Sequence, residues 1–197
     1  MEQMFLNTIA KLRRCIYLFF MLLLLFSCTS RQKSNKKIFR YNESSGIASL
    51  DPAFAKNQSV MWAVHQLYNT LVEVDENLQI KPSIAHSWEF SQDKRSILFH
   101  LRKDIFFNDD AVFNNGKGRR LVAADVQYSL ERILDKNTAS PGAWIFNNRV
   151  DSARPFVAIN DSTFQLNLLR PFHPILGILS MQYCSIVPKE AVVKYGT

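Results

Sequence analysis

Residues 85–110 read AHSWEFSQDKRSILFHLRKDIFFNDD. Two apolar-rich runs, 87–90 and 96–101, flank the polar cluster Ser91-Gln92-Asp93-Lys94-Arg95. β-Branched and aromatic residues on both sides of a turn-forming cluster predict a β-hairpin. Trp88 and Phe90 fall on one face of the first strand. Ile97, Phe99 and Leu101 fall on one face of the second. Strict alternation of this kind predicts that one face is buried. Arg102-Lys103-Asp104 ends the second strand with charge, and no residue of the stretch is an evident catalyst.

Upstream of the hairpin, Val60, Val64, Leu67, Tyr68 and Leu71 recur at helical spacing, which predicts a helix from Ser59 with those residues on its buried face. Residues 71–74 and 78–80 read as short strands around Asp75-Glu76-Asn77, and Pro82 closes that unit. Leu50-Asp51-Pro52 forces an extended step, because a residue before proline avoids the helical region. Residues 38–41 read as a short first strand. Downstream, 125–134 is an amphipathic helix with Val126, Leu130, Ile133 and Leu134 as its stripe, and Asp125 suits the positive N-terminal end. Residues 156–159 and 163–168 predict a second hairpin around Asn160-Asp161. Residues 175–179 form a short apolar helix or turn, 185–187 are strand-like, and 189–195 begin a helix after Pro188.

The chain has 197 residues, 47% hydrophobic and 21% charged, which is ordinary for a globular protein large enough to bury a core. Of its formal net charge of +7, Lys11, Arg13 and Arg14 against Glu2 leave +2 in the leader. No stripe of cations interleaved with aromatics appears, so the composition does not point to nucleic acid. The leader pairs those cations with the uncharged run 16–26, IYLFFMLLLLF. As a helix this run would extend about 16 Å, short of the roughly 30 Å hydrocarbon core, so it reads as a signal peptide over 1–27. The run ends Leu25-Phe26-Ser27-Cys28, similar to a lipobox, and Cys28 is the expected lipidation site. A plain secretory signal with an incidental cysteine is the alternative. Residues 28–37 are a basic tether. Three cysteines make no disulfide framework, and Cys184 reads as a small buried residue.

No catalytic constellation is evident. His65, His86, His100 and His173 lack the spacing of a metal site, although His86 and His100 can approach each other across the hairpin. Gly116-Lys117-Gly118 lacks the strand and hydroxyl of a phosphate loop. The sequence therefore predicts no enzyme, no cofactor and no metal.

The hairpin also resembles, residue by residue, the family 5 solute-binding proteins of bacterial ABC importers, the oligopeptide-, dipeptide- and nickel-binding group. The resemblance rests on Ile84-Ala85-His86-Ser87-Trp88-Glu89, Ser91, Asp93, Phe99, Leu101-Arg102-Lys103, Phe107 and Asp109. It is extended by Leu50-Asp51-Pro52, Leu67-Tyr68-Asn69-Thr70-Leu71-Val72, Ala124-Asp125-Val126, Ser129-Leu130-Glu131-Arg132, Thr163, Leu166, Pro171-Phe172 and Ile186-Val187-Pro188-Lys189-Glu190, in the family's order. Departures are Asp110 in place of the usual glycine, the basic insertion 114–120, and Ala123 where a capping hydroxyl is usual.

The resemblance implies an α/β (α+β) fold of the type II periplasmic-binding-protein kind. It implies an N-terminal fragment, with the first strand and loop of lobe I at 38–50, a small sub-domain at 51–184, a return into lobe I at 185–197, and the second lobe missing. On that reading 38–41 and 185–197 should be poorly supported. The implied function is a lipid-anchored receptor in the cell envelope that captures peptides in the periplasm or at the cell surface for an ABC permease. A nickel complex, haem or other small solute is the alternative ligand, and a truncated membrane-tethered module without solute binding is a third reading. The implied ligand loop is Ala55, Lys56, Asn57, Gln58 and Ser59. Lys56 would meet a ligand carboxylate, while Asn57 and Ser59 would meet peptide backbone. A solvated loop with Ser59 as helix N-cap is the alternative for the same residues.

Overall fold

The computed structural model describes residues 13 and 40–196. The chain divides into two units, Met1–Asn42 and Glu43–Thr197, and the second holds nearly all described residues. Its elements are β1 (Val72–Val74), β2 (Ile80–Pro82), β3 (Ala85–Phe90), β4 (Ser96–Leu101), β5 (Phe156–Asn160) and β6 (Thr163–Asn167), with helices α1 (Gln58–Leu67), α2 (Ala123–Leu134), α3 (Ile175–Leu179) and α4 (Lys189–Tyr195). β1 and β2 form a two-stranded ribbon. The other strands make an antiparallel sheet in the order β3-β4-β6-β5.

The predicted hairpin forms, with Trp88 opposite Phe99 and Phe90 opposite Ile97. Its turn is closed by the Lys94 N–H donating to Ser91 O at 2.9 Å, with Lys94 at φ 54°. Asp93 Oδ1 accepts the Ser91 hydroxyl at 2.6 Å and the Arg95 N–H at 3.1 Å. Ile97, Phe99 and Leu101 are fully buried as the alternation predicts, and Phe99 packs on Phe164 across the β4–β6 pair. Trp88 and Phe90 depart from expectation. Trp88 is half-buried and Phe90 is 43% exposed. The cause is topological: β3 is an edge strand, and α2 packs on β5 and β6 at the other side of the sheet.

α2 buries Val126, Leu130 and Ile133, the predicted stripe, while Leu134 is half-buried. Ala123 offers no cap and neither does the Val122 side chain. The Asp125 carboxylate instead reaches back to the Val122 N–H at 2.9 Å, satisfying one of the orphan donors of the first turn. α1 buries Val60, Ala63 and Val64, but Leu67 is exposed and Leu71 lies beyond the helix. The second hairpin forms as expected.

At the C-terminal end, 185–187 are not in a strand, yet Ser185, Ile186 and Val187 are buried. This corrects the expectation of poor support for 185–187, whereas α4 beyond it buries no residue. Ile186 N–H donates to Asn69 O at 3.0 Å, and Val187 N–H donates to the Ser129 hydroxyl at 3.0 Å. α4 is tied down by Arg119, which meets Asp125 at 2.6 Å and Glu190 at 2.7 Å and lies over the Phe107 ring at 5.2 Å. Gly118 makes this path possible, since a Cβ there would fall 1.7 Å from the Phe107 carbonyl oxygen. The insertion 114–120 is thus built into the fold through its last residues. Residues 40 and 41 are in no strand, while Ile38, the leader apart from Arg13, the tether and Cys28 lie outside the described residues. Among the described residues no helix is long and apolar enough to cross a membrane.

Candidate functional site

The implied ligand loop follows a 3-10 turn at Pro52–Phe54 and leads into α1. Its base is fixed by Asp51. One carboxylate oxygen accepts the Ala53 N–H at 3.0 Å. Both oxygens also face Arg132 of α2, whose two terminal nitrogens donate at 3.0 and 2.5 Å. The two side chains are 10% and 7% exposed, so this is a buried, bidentate pair. A second tie comes from the Ser140 hydroxyl, which donates to Ala53 O at 2.5 Å and accepts the Gly142 N–H at 3.0 Å. The nearby Tyr68 hydroxyl is held above its ordinary pKa, first by burial and then by the Asp51 charge. Two of the motif blocks noted in the sequence, Leu50-Asp51-Pro52 and Glu131-Arg132, therefore meet as one structural unit.

Of the five loop residues, Ala55 is buried with its side chain in the core. Asn57 caps α1: its Oδ1 accepts the Val60 N–H at 3.1 Å and the Ser59 hydroxyl at 3.2 Å. The cap is therefore Asn57, not Ser59. The physical reason is backbone geometry, since Asn57 has the extended conformation of a cap residue and Ser59 already lies inside the helix. Lys56 and Gln58 are exposed, and Lys56 makes no ion pair among the described residues. Asn57 and Ser59 thus meet each other, while Lys56 and Gln58 remain open to solvent. One residue the sequence reading passed over is Trp62, one turn beyond Gln58 on α1 and 56% exposed. An aromatic outside the apolar stripe of an amphipathic helix is the signal that marks it.

Beside the turn lies a cavity of about 270 Å³, bordered by Leu50, Asp51, Pro52, Tyr68, Pro188 and Tyr195. A larger one of about 410 Å³ is bordered by Asn69, Phe106, Phe107, Asp110 and Tyr195 among others. None of residues 55–59 borders either cavity. His86 and His100 do approach, with stacked rings 6.0 Å apart. Among the described residues no group of three or more metal-ligating side chains converges. The arrangement is a braced, solvent-facing loop offering an ammonium and an amide, which suits recognition of a polar ligand.

A family model described as bacterial extracellular solute-binding proteins, family 5 Middle, matches residues 79–196. The dipeptide-binding protein of Escherichia coli K12 is 33% identical over 144 residues, 66% of this chain and 26% of that protein. A probable deoxycholate-binding periplasmic protein, YgiS, of the same organism is 26% identical over 174 residues, 82% of this chain and 31% of that protein. The solved structure of DppA from Helicobacter pylori in complex with the peptide STSA aligns with a TM-score of 0.64 at 32% identity, over 75% of this chain and 30% of that one. The chain thus spans less than a third of the length of these proteins. Its α/β fold is that of type II periplasmic binding proteins, as part of their N-terminal lobe.

Proposed function

Because the chain belongs to the bacterial extracellular solute-binding proteins of family 5, we propose that it is the receptor of an ABC importer. It captures oligo- or dipeptides in the periplasm or at the cell surface and hands them to a membrane permease. The observation that carries this reading is the braced loop: Asp51 and Arg132 hold its base, and the exposed side chains of Lys56 and Gln58 have no hydrogen-bond or ion-pair partner among the described residues. A peptide presents complementary groups, a carboxylate for the ammonium and a backbone amide for the side-chain amide. Lipidation at Cys28 fastens the receptor to the membrane, and the basic tether lets it reach its permease. The likeness to a dipeptide-binding protein and to a structure holding a four-residue peptide supports this ligand class.

A second reading, a non-peptide small solute such as a nickel complex, haem or another organic molecule, is favoured by the likeness to a probable deoxycholate-binding protein. The deciding experiment uses native protein from the membrane fraction. Its intact mass reports acylation at Cys28 and the length of the mature product, and mass spectrometry of the released ligand reports the solute. A peptide ligand, with affinity falling about tenfold or more on Lys56→Ala, is the expected result, since a charge-assisted hydrogen bond contributes about 1.5–3 kcal/mol. A non-peptide ligand, or peptide affinity indifferent to Lys56, overturns the peptide assignment. A native product that ends at residue 197 and retains no solute favours the membrane-tethered module.

A further inference from the structure

One surface groove is unexplained by the loop at 55–59 and is lined by other residues: Phe90, Lys94, Pro171, Phe172, His173 and Leu176, enclosing about 330 Å³. Small-molecule sites are concave, mostly apolar, and carry a few placed polar groups. Four of these six side chains are apolar. Phe90 reaches the groove because β3 is an edge strand, and it remains 43% exposed. The remaining two are Lys94 and His173, and no lining residue is acidic.

The groove's own lining is basic, with its acids confined to the flanking positions Glu89 and Asp93. Lys94 sits at φ 54° on the hairpin turn and makes no ion pair among the described residues. Arg149, which does not line the groove, stacks its guanidinium 5.3 Å from the ring centre of the lining residue Phe172 and donates to Trp144 O at 2.6 Å. Arg170 directly precedes Pro171 and is exposed. Of the two acids next to lining residues, Asp93 accepts the Ser91 hydroxyl and the Arg95 N–H, and Glu89 lies 3.4 Å from His100. An apolar trough with a free ammonium and further cations nearby complements a molecule with an apolar body and a single negative charge. A doubly charged phosphate would want a fork of donors converging on it, which the lining does not supply.

We propose that this groove is a second ligand site, one that takes an apolar carboxylate, with its ring or alkyl body against Phe90, Phe172 and Leu176 and its carboxylate at Lys94. The site acts independently of peptide capture. The test is photolabelling of the full chain in lipid nanodiscs with benzophenone-4-carboxylate, followed by peptide mapping. The expected labels lie on peptides containing Phe90 or Leu176. 4-Phenylbutanoate competes for them at least about threefold better than 4-phenylbutanol, the margin that one exposed charge pair provides. Lys94→Asn removes the charge while suiting the left-handed backbone, and it lowers labelling about threefold or more. Lys94→Arg retains labelling, and Phe90→Ser lowers it with an unchanged circular-dichroism melt. Labels scattered elsewhere, equal competition by the alcohol, or indifference to both substitutions overturns the proposal. So does a groove closed to the probe with a crosslinked dimer in the mass spectrum, which would make a second copy its occupant.

Discussion

Arg132→Met should be among the most damaging single substitutions in this chain. The guanidinium meets both oxygens of Asp51, and the two side chains are only 7% and 10% exposed. Without Arg132 the Asp51 carboxylate keeps the Ala53 N–H but loses its charge partner in a desolvated place. Stranding a buried charge in this way costs about 3–5 kcal/mol. Asp51→Asn strands the arginine instead and should cost a similar amount. The double variant strands no charge, and the amide oxygen introduced at position 51 still accepts the Ala53 N–H. Its cost should fall short of the sum of the single variants by at least about 2 kcal/mol. Urea denaturation followed by circular dichroism reads all three. With a slope near 2 kcal/mol/M, Arg132→Met should lower the midpoint by about 1.5–2.5 M. A loss under about 1 kcal/mol for Arg132→Met, or strict additivity in the double variant, would refute the picture of a buried pair bracing the loop.

Further outcomes follow from other contacts. Gly118→Ala places a Cβ on the Phe107 carbonyl and should destabilise by about 1–3 kcal/mol, read by the same denaturation. The hydrogen bonds from Arg119 hold the Glu190 carboxyl below its ordinary pKa of 4.5. A lowered folded-state pKa means that the contribution is fully present above pH 4.5 and lost as pH falls through the lowered value. The melting-temperature gap between the native chain and Glu190→Gln should therefore hold at neutral pH and close in acid. The stability difference behind that gap should be small, under about 1 kcal/mol, because Glu190 is partly solvated. Burial pushes the Cys184 thiol well above its ordinary value. A maleimide should leave Cys184 unmodified in the native chain at neutral pH and modify it once the chain is unfolded, as peptide mapping would show.

Periodic patterns and local turn chemistry were readable in the sequence, and long-range pairing was not. Ile97, Phe99 and Leu101 alternate, and Val126, Leu130 and Ile133 repeat at helical spacing, so each exposes its buried face to inspection of a single segment. Trp88 and Phe90 alternate equally well, but their burial depends on where β3 sits in the sheet, which no local pattern encodes. The ion pair of Asp51 with Arg132 joins residues 81 positions apart. At the proposed ligand loop the family resemblance supplied the position, but which side chains are spent on structure followed from backbone angles. Asn57 and Ser59 are both good cap residues, and the extended conformation of Asn57 decides between them. Residues 185–187 read as a strand because Ile186 and Val187 are apolar and β-branched. They are instead an extended buried stretch served by Asn69 and Ser129.

The strand order β3-β4-β6-β5 has a consequence for how the chain reaches its folded state. β4 gains its first neighbour from the adjacent hairpin within a few residues, but its second, β6, arrives only after the whole excursion that carries α2 and the insertion has been synthesised. Pairings so distant in sequence form slowly, because loop-closure entropy is spent before any contact is made. Until then one edge of β4 presents unpaired backbone groups beside a row of large apolar side chains, an open template for association with another chain. The growing chain therefore has a specific interval to be shielded, the one between the emergence of Leu101 and that of Thr163.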